Sequence, residues 1–258
     1  MAAVVAALLD SPSALASLRR TIPNGVGLVR GCRTGAALSR VIESGLVDSV
    51  VLGVRACLAI DVADLRKRFP GVPVILYGVV RSDHGQAMLD LEGLGVRAVV
   101  VEGIDDPMIG ELVARSGSAA ARREALATIP AALRLSEPLQ RRAFDLLAST
   151  SGPPPSAATL ARRLRVSREH LSRQFGAGGA PNLKRLTGLL QILAVRDCLA
   201  NPGYTPKAAA RWYGFASVSH LRTVVSRVVR LPIEGLVRAS QAELLRRFQA
   251  QGSRSRRP

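Results

Sequence analysis

Short apolar runs alternate with amphipathic segments along residues 1–115, and this alternation constrains the fold more than any other feature of the sequence. Continuous apolar runs are typical of strands buried on both faces, which occur in parallel sheets covered by helices. The predicted strands are Ala3–Leu9, Gly25–Val29, Asp48–Val54, Val72–Tyr77 and Val96–Val101, and the predicted helices are Ser13–Thr21, Gly35–Ser44, Val62–Phe69 and about Ser82–Leu94. We therefore expect residues 1–115 to form a doubly wound α/β domain with about five parallel strands.

After Val113 helical patterns replace the alternation of strands and helices. The sequence predicts a linker and connecting helix over residues 116–134, an all-α domain over residues 135–240 and a basic tail over residues 241–258. The run Ser151-Gly-Pro-Pro-Pro155 marks a break between helices in this half. We expect two domains of different class.

The net charge of +17 is confined to the second half of the chain. Residues 1–115 hold 12 basic and 12 acidic residues, whereas residues 116–258 hold 24 basic and 7 acidic residues. Such an asymmetry indicates a neutral domain joined to one that binds a polyanion, either nucleic acid or an anionic membrane surface. The aromatic content of 3% argues against a surface that stacks on unpaired bases.

Several classes of protein are disfavoured by what the sequence lacks. The three cysteines form no CxxC pair, and no apolar run approaches the roughly 18 residues of a membrane helix. Met1–Leu9 has no basic segment before it, so we expect no signal peptide and a cytoplasmic location. No GxGxxG, GK[ST], GxSxG or HExxH pattern occurs, so we expect no enzyme, no cofactor and no metal site.

The first of two similar helical units is Ala158–Phe175. Its apolar seam consists of Leu160, Ala161, Leu164, Val166, Leu171 and Phe175. Small Ala161 allows two helices to cross closely, and Ser167 is placed to cap the second helix. The polar face of that second helix presents Arg168, Glu169, Ser172 and Arg173, which suit a DNA major groove. The spacing favours a helix-turn-helix unit over an ordinary helical hairpin.

The second unit is Thr205–Arg230, with Ala209-Ala210 at the small positions and Gly214 in the turn. Its core positions are Phe215 and Leu221, and its candidate DNA-binding residues are Ser217, which can also cap the helix, Ser219, His220, Arg222, Thr223 and Arg227. Between the units, Lys184–Ala200 is predicted to be one helix of about 25 Å. A helix of that length could hold two recognition helices in successive major grooves, about 34 Å apart.

These two units resemble the DNA-binding domain of the AraC/XylS family of bacterial transcription regulators, over about Pro138–Val237. The first unit matches the pattern LAxxLxxSxxxLSRxF through Leu160, Ala161, Leu164, Ser167, Leu171, Ser172, Arg173 and Phe175, and the second matches IAxxxGFxSxSxF through Ala209, Ala210, Gly214, Phe215, Ser217, Ser219 and Leu221. The chain departs from the family at four positions. It has Gln191 where the family has an arginine and Arg230 where the family has a glycine, and Leu221 and Val225 lie where the family has aromatic residues.

The resemblance implies binding of double-stranded DNA with sequence preference. Arg168, Ser172 and Arg173 would lie in one groove, and Ser219, His220 and Arg222 in the next. Each arginine has an alternative role, as a phosphate contact or a solvated side chain. Glu169 could accept from cytosine N4 or pair with Arg165 or Arg173 on its own helix.

The strand–helix order of residues 1–115 resembles a two-component receiver domain, whose chemistry needs acidic residues, a phosphoacceptor aspartate, a hydroxyl residue and a lysine. Here the corresponding positions hold Asp10-Ser11, Gly53, Gly78 and Glu102, and Asp61 lies beyond the strand. Without the aspartate no aspartyl phosphate forms by that route. The domain is therefore predicted to be a pseudo-receiver that dimerises, contacts a partner or binds a ligand at the strand ends. The pair Asp83-His84 is predicted near that edge, as a surface turn or, alternatively, as part of such a site.

The sequence as a whole predicts a bacterial transcription regulator that binds duplex DNA. Its expected partners are DNA, a second copy of the chain through the N-terminal domain, and RNA polymerase, with no membrane. Two alternatives stay open: a basic protein that binds DNA without sequence preference, and a ligand-sensing switch.

Overall fold

The computed structural model describes residues 4–24, 27–79, 93, 95–175 and 179–254. The chain divides into two compact units, Met1–Arg122 with Asn201–Tyr204, and Arg123–Ala200 with Thr205–Pro258. The first unit contains a parallel sheet with covering helices, and the described part of the second contains helices alone. None of the described helices is both long and apolar enough to cross a membrane.

The sheet of the first unit has five parallel strands in the order β2-β1-β3-β4-β5. They are β1 Val4–Leu8, β2 Leu28–Gly31, β3 Val47–Leu52, β4 Val74–Gly78 and β5 Ala98–Val101. This order is that of doubly wound receiver-like folds, and the predicted fold class is confirmed. The second strand lies further along the chain than the predicted Gly25–Val29, because its ladder with β1 begins where Leu28 faces Val4.

Helices follow the strands, and side-chain caps begin several of them. The helices are α1 Pro12–Thr21, α2 Gly35–Ser44, α3 Val54–Ala59, α4 Val62–Arg68, α5 Ile109–Ser116 and α6 Ser118–Leu126. Ser11 accepts the Ala14 N–H at the start of α1, and Thr34 caps α2 in the same way. The predicted helix Ser82–Leu94 and the pair Asp83-His84 fall almost entirely outside the described residues.

Other elements differ from the prediction as well. The strand predicted over Asp48–Val54 ends at Leu52, and α3 begins at once with Val54 because the Asp10 carboxylate caps it. The segment predicted as linker and connecting helix is helical from Ser118. In α6 the Ala119 N–H donates to the buried Asp48 carboxylate at 2.8 Å, which satisfies an unpaired group of the first helical turn.

The second unit consists of packed helices. They are α7 Ile129–Ala132, α8 Pro138–Ala148, α9 Ala157–Leu164, α10 Arg168–Gln174, α11 Leu183–Leu199, α12 Pro206–Trp212, α13 Val218–Val229, α14 Ile233–Arg238 and α15 Gln241–Arg254. The 17-residue helix α11 is central, since it packs against α8, α12, α13 and α14. Its fully buried side chains include Leu186, Leu189, Ile192 and Val195.

The C-terminal segment differs from the basic tail predicted over residues 241–258. Its described part, Gln241–Arg254, forms α15, in which Leu244 and Phe248 are 0% and 3% exposed. These two apolar residues are four positions apart and form an apolar helix face that can be buried. The prediction of a solvated tail rested on the charge of the segment alone.

Candidate nucleic-acid interface

The first helix-turn-helix unit is formed by α9 and α10. Ser167 ends the turn and accepts the His170 N–H at 3.1 Å, so it caps α10 as predicted. The turn closes through the Val166 N–H, which donates to the Ala161 carbonyl at 3.1 Å. Arg165, between them, adopts the left-handed conformation with φ of 58°. Five members of the predicted seam are buried, namely Leu160, Ala161, Leu164, Leu171 and Phe175, whereas Val166 in the turn is half-buried.

The second unit, α12 and α13, repeats this geometry. Gly214 takes the left-handed position with φ of 77°, and the Phe215 N–H donates to the Ala210 carbonyl at 2.8 Å. Ser217 caps α13 by accepting the His220 N–H at 3.0 Å. The predicted core residues Ala209, Ala210, Phe215 and Leu221 are buried. Both units therefore hold their second helix by the same turn and the same kind of cap.

Each unit is tied to its supporting helix by a side-chain amide. Gln140 of α8 is fully buried and donates to the Gln174 carbonyl at the end of α10, at 2.6 Å. Gln191 of α11 donates to the Tyr213 carbonyl, in the turn of the second unit, also at 2.6 Å. Gln191 is the position at which the AraC/XylS resemblance has an arginine. An amide there supplies the same kind of donor without burying a charge.

The predicted residues of the first unit form one exposed face of α10. Arg168, Glu169, Ser172 and Arg173 are all exposed, while Leu171 on the opposite side is fully buried. The other three residues follow Arg168 by one, four and five positions, and this spacing keeps all four on one side of a helix. The structure therefore brings these four predicted residues together.

In the second unit the predicted residues of α13 also share one exposed face. Ser219, His220, Arg222, Thr223 and Arg227 are exposed, and Ser217 is exposed at the cap. Three of these side chains form local hydrogen bonds. Ser217 caps the helix, Thr223 donates to the Ser219 carbonyl at 3.0 Å, and His220 Nδ1 accepts the N–H of Ala216, just before the helix, at 3.4 Å. Ser219, Arg222 and Arg227 are the members of the face with no such bond in the described part of the chain.

His170 was missed by the sequence analysis. It is exposed three residues after its cap Ser167, the place that His220 holds relative to Ser217. The repeated spacing Ser-x-x-His, visible at 167–170 and 217–220, is the signal that could have found it.

The exposed arginines of the two faces carry uncompensated charge. In the described residues Arg168, Arg173, Arg222 and Arg227 form no ion pair, whereas Arg196 pairs with Asp197 and Arg247 with Glu243 elsewhere in the second unit. Unpaired arginines on two helix faces provide donors for phosphates and for base edges.

The carboxyl edge of the sheet, where a receiver has its chemistry, is organised around Asp10. Its carboxylate accepts the Arg55 and Ala56 N–H groups at 3.0 and 3.1 Å, at the start of α3. A Cβ added to Gly53 would lie 2.5 Å from Asp10 Cγ, so no side chain fits there without movement. Gly53 and Gly78 thus leave the space that the Asp10 carboxylate and Val54 occupy.

Other residues at this edge are also engaged with each other. The Ser11 hydroxyl donates to Glu102 Oε1 at 3.3 Å, and the Asp61 carboxylate caps α4 by accepting the Asp64 N–H at 2.8 Å. Burial, followed by the nearby Asp10 carboxylate, raises the pKa of the Cys57 thiol to about 12. The described residues contain no cluster of three or more His, Cys, Asp or Glu side chains that could hold a metal ion.

No protein-family model and no curated protein sequence matches this chain. Among solved structures, NtrX from Brucella abortus aligns with 98% of this chain and 82% of its own, at 11% identity and a TM-score of 0.44. FixJ from B. japonicum aligns with 87% of this chain and 96% of its own, at 15% identity and a TM-score of 0.37. The chemotaxis response regulator CheY4 of Vibrio cholerae aligns with 45% of this chain and 99% of its own, at 15% identity and a TM-score of 0.38.

Proposed function

We propose that this protein is a transcription regulator of the AraC/XylS type that reads duplex DNA with two recognition helices, α10 and α13. The observation that carries the proposal is the repetition of one capped turn, from Ala161 to His170 and from Ala210 to His220, with an exposed polar face after each. An ordinary helical hairpin needs neither the repetition nor an arginine-bearing face on both copies.

The two faces supply both parts of DNA binding. Arginines such as Arg173 and Arg222 can donate two bonds to guanine O6 and N7, a contact worth about 1–3 kcal/mol of discrimination. The +17 net charge, all of it in residues 116–258, adds affinity through phosphate contacts that weaken as salt rises. The affinity for DNA then depends on the salt concentration, while the preference for particular base pairs depends on the recognition helices.

In this proposal the first unit acts without phosphorylation. Position 53 holds glycine, and the Asp10 carboxylate lies beside it as the cap of α3. Of the roles that do not need phosphorylation, we propose assembly, in which the first unit forms a homodimer. Sedimentation of the full chain at micromolar concentrations tests this: a dimer is expected, and a monomer throughout contradicts it.

The function is tested by selecting duplexes from a randomised pool with the full chain at physiological salt. We expect two enriched blocks about one helical turn apart. Arg173→Ala and Arg222→Ala form a matched pair, since each removes one exposed arginine from a different recognition helix. Each variant should lose preference within a different block. Tight binding at low salt without any enrichment would instead identify a basic protein that binds DNA without sequence preference.

A cavity in the first unit favours ligand sensing as a second candidate function. It has a volume of about 260 Å³ and is lined by Leu38, Ser39, Ile60, Asp61, Asp64 and Arg68, among others. This is smaller than the roughly 300–1,000 Å³ of usual small-molecule sites, so it suits a ligand of few atoms. Thermal-shift screening of the full chain against small polar metabolites tests this candidate, and Ser39→Trp, which would fill the cavity, is the control that should abolish any shift.

A further inference from the structure

The C-terminal helix α15 lies beyond the segment that resembles the AraC/XylS domain, yet it is packed into the second unit. Leu244 and Phe248 are buried, and α15 packs against the recognition helix α13. The Arg185 guanidinium of α11 lies 4.7 Å from the centre of the Phe248 ring and donates to the Phe248 carbonyl at 3.0 Å. The helix is therefore fixed in place along its length.

Three glutamines of α15 donate to carbonyls in the last turns of three other helices. Gln241 reaches the Ala125 carbonyl of α6 at 2.7 Å, Gln249 reaches the Ala132 carbonyl of α7 at 2.7 Å, and Gln251 reaches the Val228 carbonyl of α13 at 3.1 Å. Carbonyls in the last turn of a helix have no partner within that helix. Each glutamine thus completes a helix end that would otherwise need water or another cap.

The directions of these bonds place α15 between the helix ends of α6 and α7 and the recognition helix α13. Gln249 and Gln251 are two residues apart, which puts their side chains about 200° apart around a helix. They therefore reach α7 and α13 on opposite sides of α15. The end of α13 is held to the same helix that holds the ends of α6 and α7.

We propose that α15 is a positioning element for the recognition helix α13, and that Gln251 sets the orientation of α13 in its groove. This inference rests on the proposed function, because orientation matters only if α13 reads DNA. Gln251 is a positioning residue, since it acts on the DNA through α13. Recognition of the base pairs contacted by α13 then depends on α15, whereas recognition of the base pairs contacted by α10 does not.

The test uses the full chain and a set of duplexes that differ from the selected site by single base pairs. Gln251→Met keeps the length of the side chain and removes its donor. Discrimination at the base pairs read by α13 is expected to fall roughly fivefold, the effect of losing one net hydrogen bond, with discrimination at the α10 base pairs unchanged. Ala242→Met, on an exposed position of the same helix, is the matched control and should change neither.

Two further readouts make the result decisive. Hydrogen exchange of the free chain should show faster exchange in the last turn of α13 for Gln251→Met, and the same rate there for Ala242→Met. Equal loss of discrimination in both halves, with a lowered melting temperature, indicates a merely structural role and overturns the inference. Unchanged exchange and unchanged discrimination also overturn it. Wild-type protein that shows no base-pair preference, with faster exchange in the variant, contradicts the proposed function and leaves α15 as a support for α13.

Discussion

Arg165 and Gly214 occupy the same place in the two helix-turn-helix units, and both adopt the left-handed conformation, with φ of 58° and 77°. In each unit the next residue closes the turn by donating to the carbonyl of a buried alanine, Ala161 or Ala210. Glycine accepts this conformation freely, whereas an L side chain costs roughly 1–2 kcal/mol there. The second unit uses the favourable residue and the first does not.

Gly214→Ala is expected to destabilise the protein by about 1–2 kcal/mol because of this backbone cost. A Cβ on Gly214 would also lie 3.0 Å from Pro153 Cβ, which adds steric strain. Arg165→Gly is the reciprocal change and should leave stability within about 0.5 kcal/mol of wild type, since relief of strain offsets the greater freedom of the unfolded chain. Urea denaturation of both variants measures this, and a Gly214→Ala protein as stable as wild type would contradict the assigned turn.

Gly53→Ala should destabilise the first unit by about 1–3 kcal/mol, because the new methyl group meets the Asp10 carboxylate. The cost is steric, since φ at Gly53 is −68° and suits any residue. In an Asp10→Ala background, which itself loses a helix cap, the same change should cost less. A double-mutant cycle by urea denaturation measures the coupling. Strictly additive effects would show that Asp10 does not occupy this space.

Acetyl phosphate with Mg²⁺ is expected to leave the chain unphosphorylated. The position of the phosphoacceptor holds Gly53, and the neighbouring Asp10 carboxylate is committed to the N–H groups of Arg55 and Ala56. Intact-mass measurement after incubation checks this, with Asp10→Asn as a control for attack at that carboxylate. Stoichiometric, acid-stable and base-labile phosphate on the wild-type protein would contradict the assignment of a pseudo-receiver.

Stability is expected to fall as the pH rises from about 9 towards 12. Burial raises the pKa of the thiols of Cys57 and Cys198 from 9.0 to about 12, with smaller contributions from Asp10 and Asp197. In the unfolded chain these thiols ionise near pH 9, so the unfolded state loses protons first and gains stability. Burial also raises the pKa of Tyr77, which acts in the same direction.

Urea midpoints at pH 8 and pH 10.5 measure this effect. A Cys57→Ala and Cys198→Ala double variant should show a smaller decline than wild type over the same interval. Equal declines in the two proteins would mean that the buried thiols do not contribute.

Local sequence signals were sufficient to predict the two helix-turn-helix units. Cap serines such as Ser167 and Ser217, small crossing residues such as Ala161 and the turn glycine Gly214 each act within a few residues of their own position. The exposed faces of α10 and α13 follow from the same short-range pattern. The five parallel strands of the sheet were also predictable, because buried parallel strands have a distinctive apolar run.

Features that depend on distant residues were not predicted. The helix α3 begins early because Asp10, more than forty residues before it, caps its first turn. The helix α15 is also held by Gln241 and Gln249, which donate to carbonyls 116 and 117 residues away in the sequence, and a segment rich in arginine gives no sign of these bonds. Pairings of this kind are formed by the tertiary fold and leave no periodic pattern.

In the proposed function, α10 and α13 read successive grooves on one face of one duplex. Insertion of five base pairs between the two selected blocks tests it, because half a helical turn places the second block on the opposite face of the DNA. At physiological salt the affinity for this duplex should fall to that for a random duplex, while the same insertion outside the blocks should have no effect. Full affinity for the duplex with separated blocks would contradict the claim.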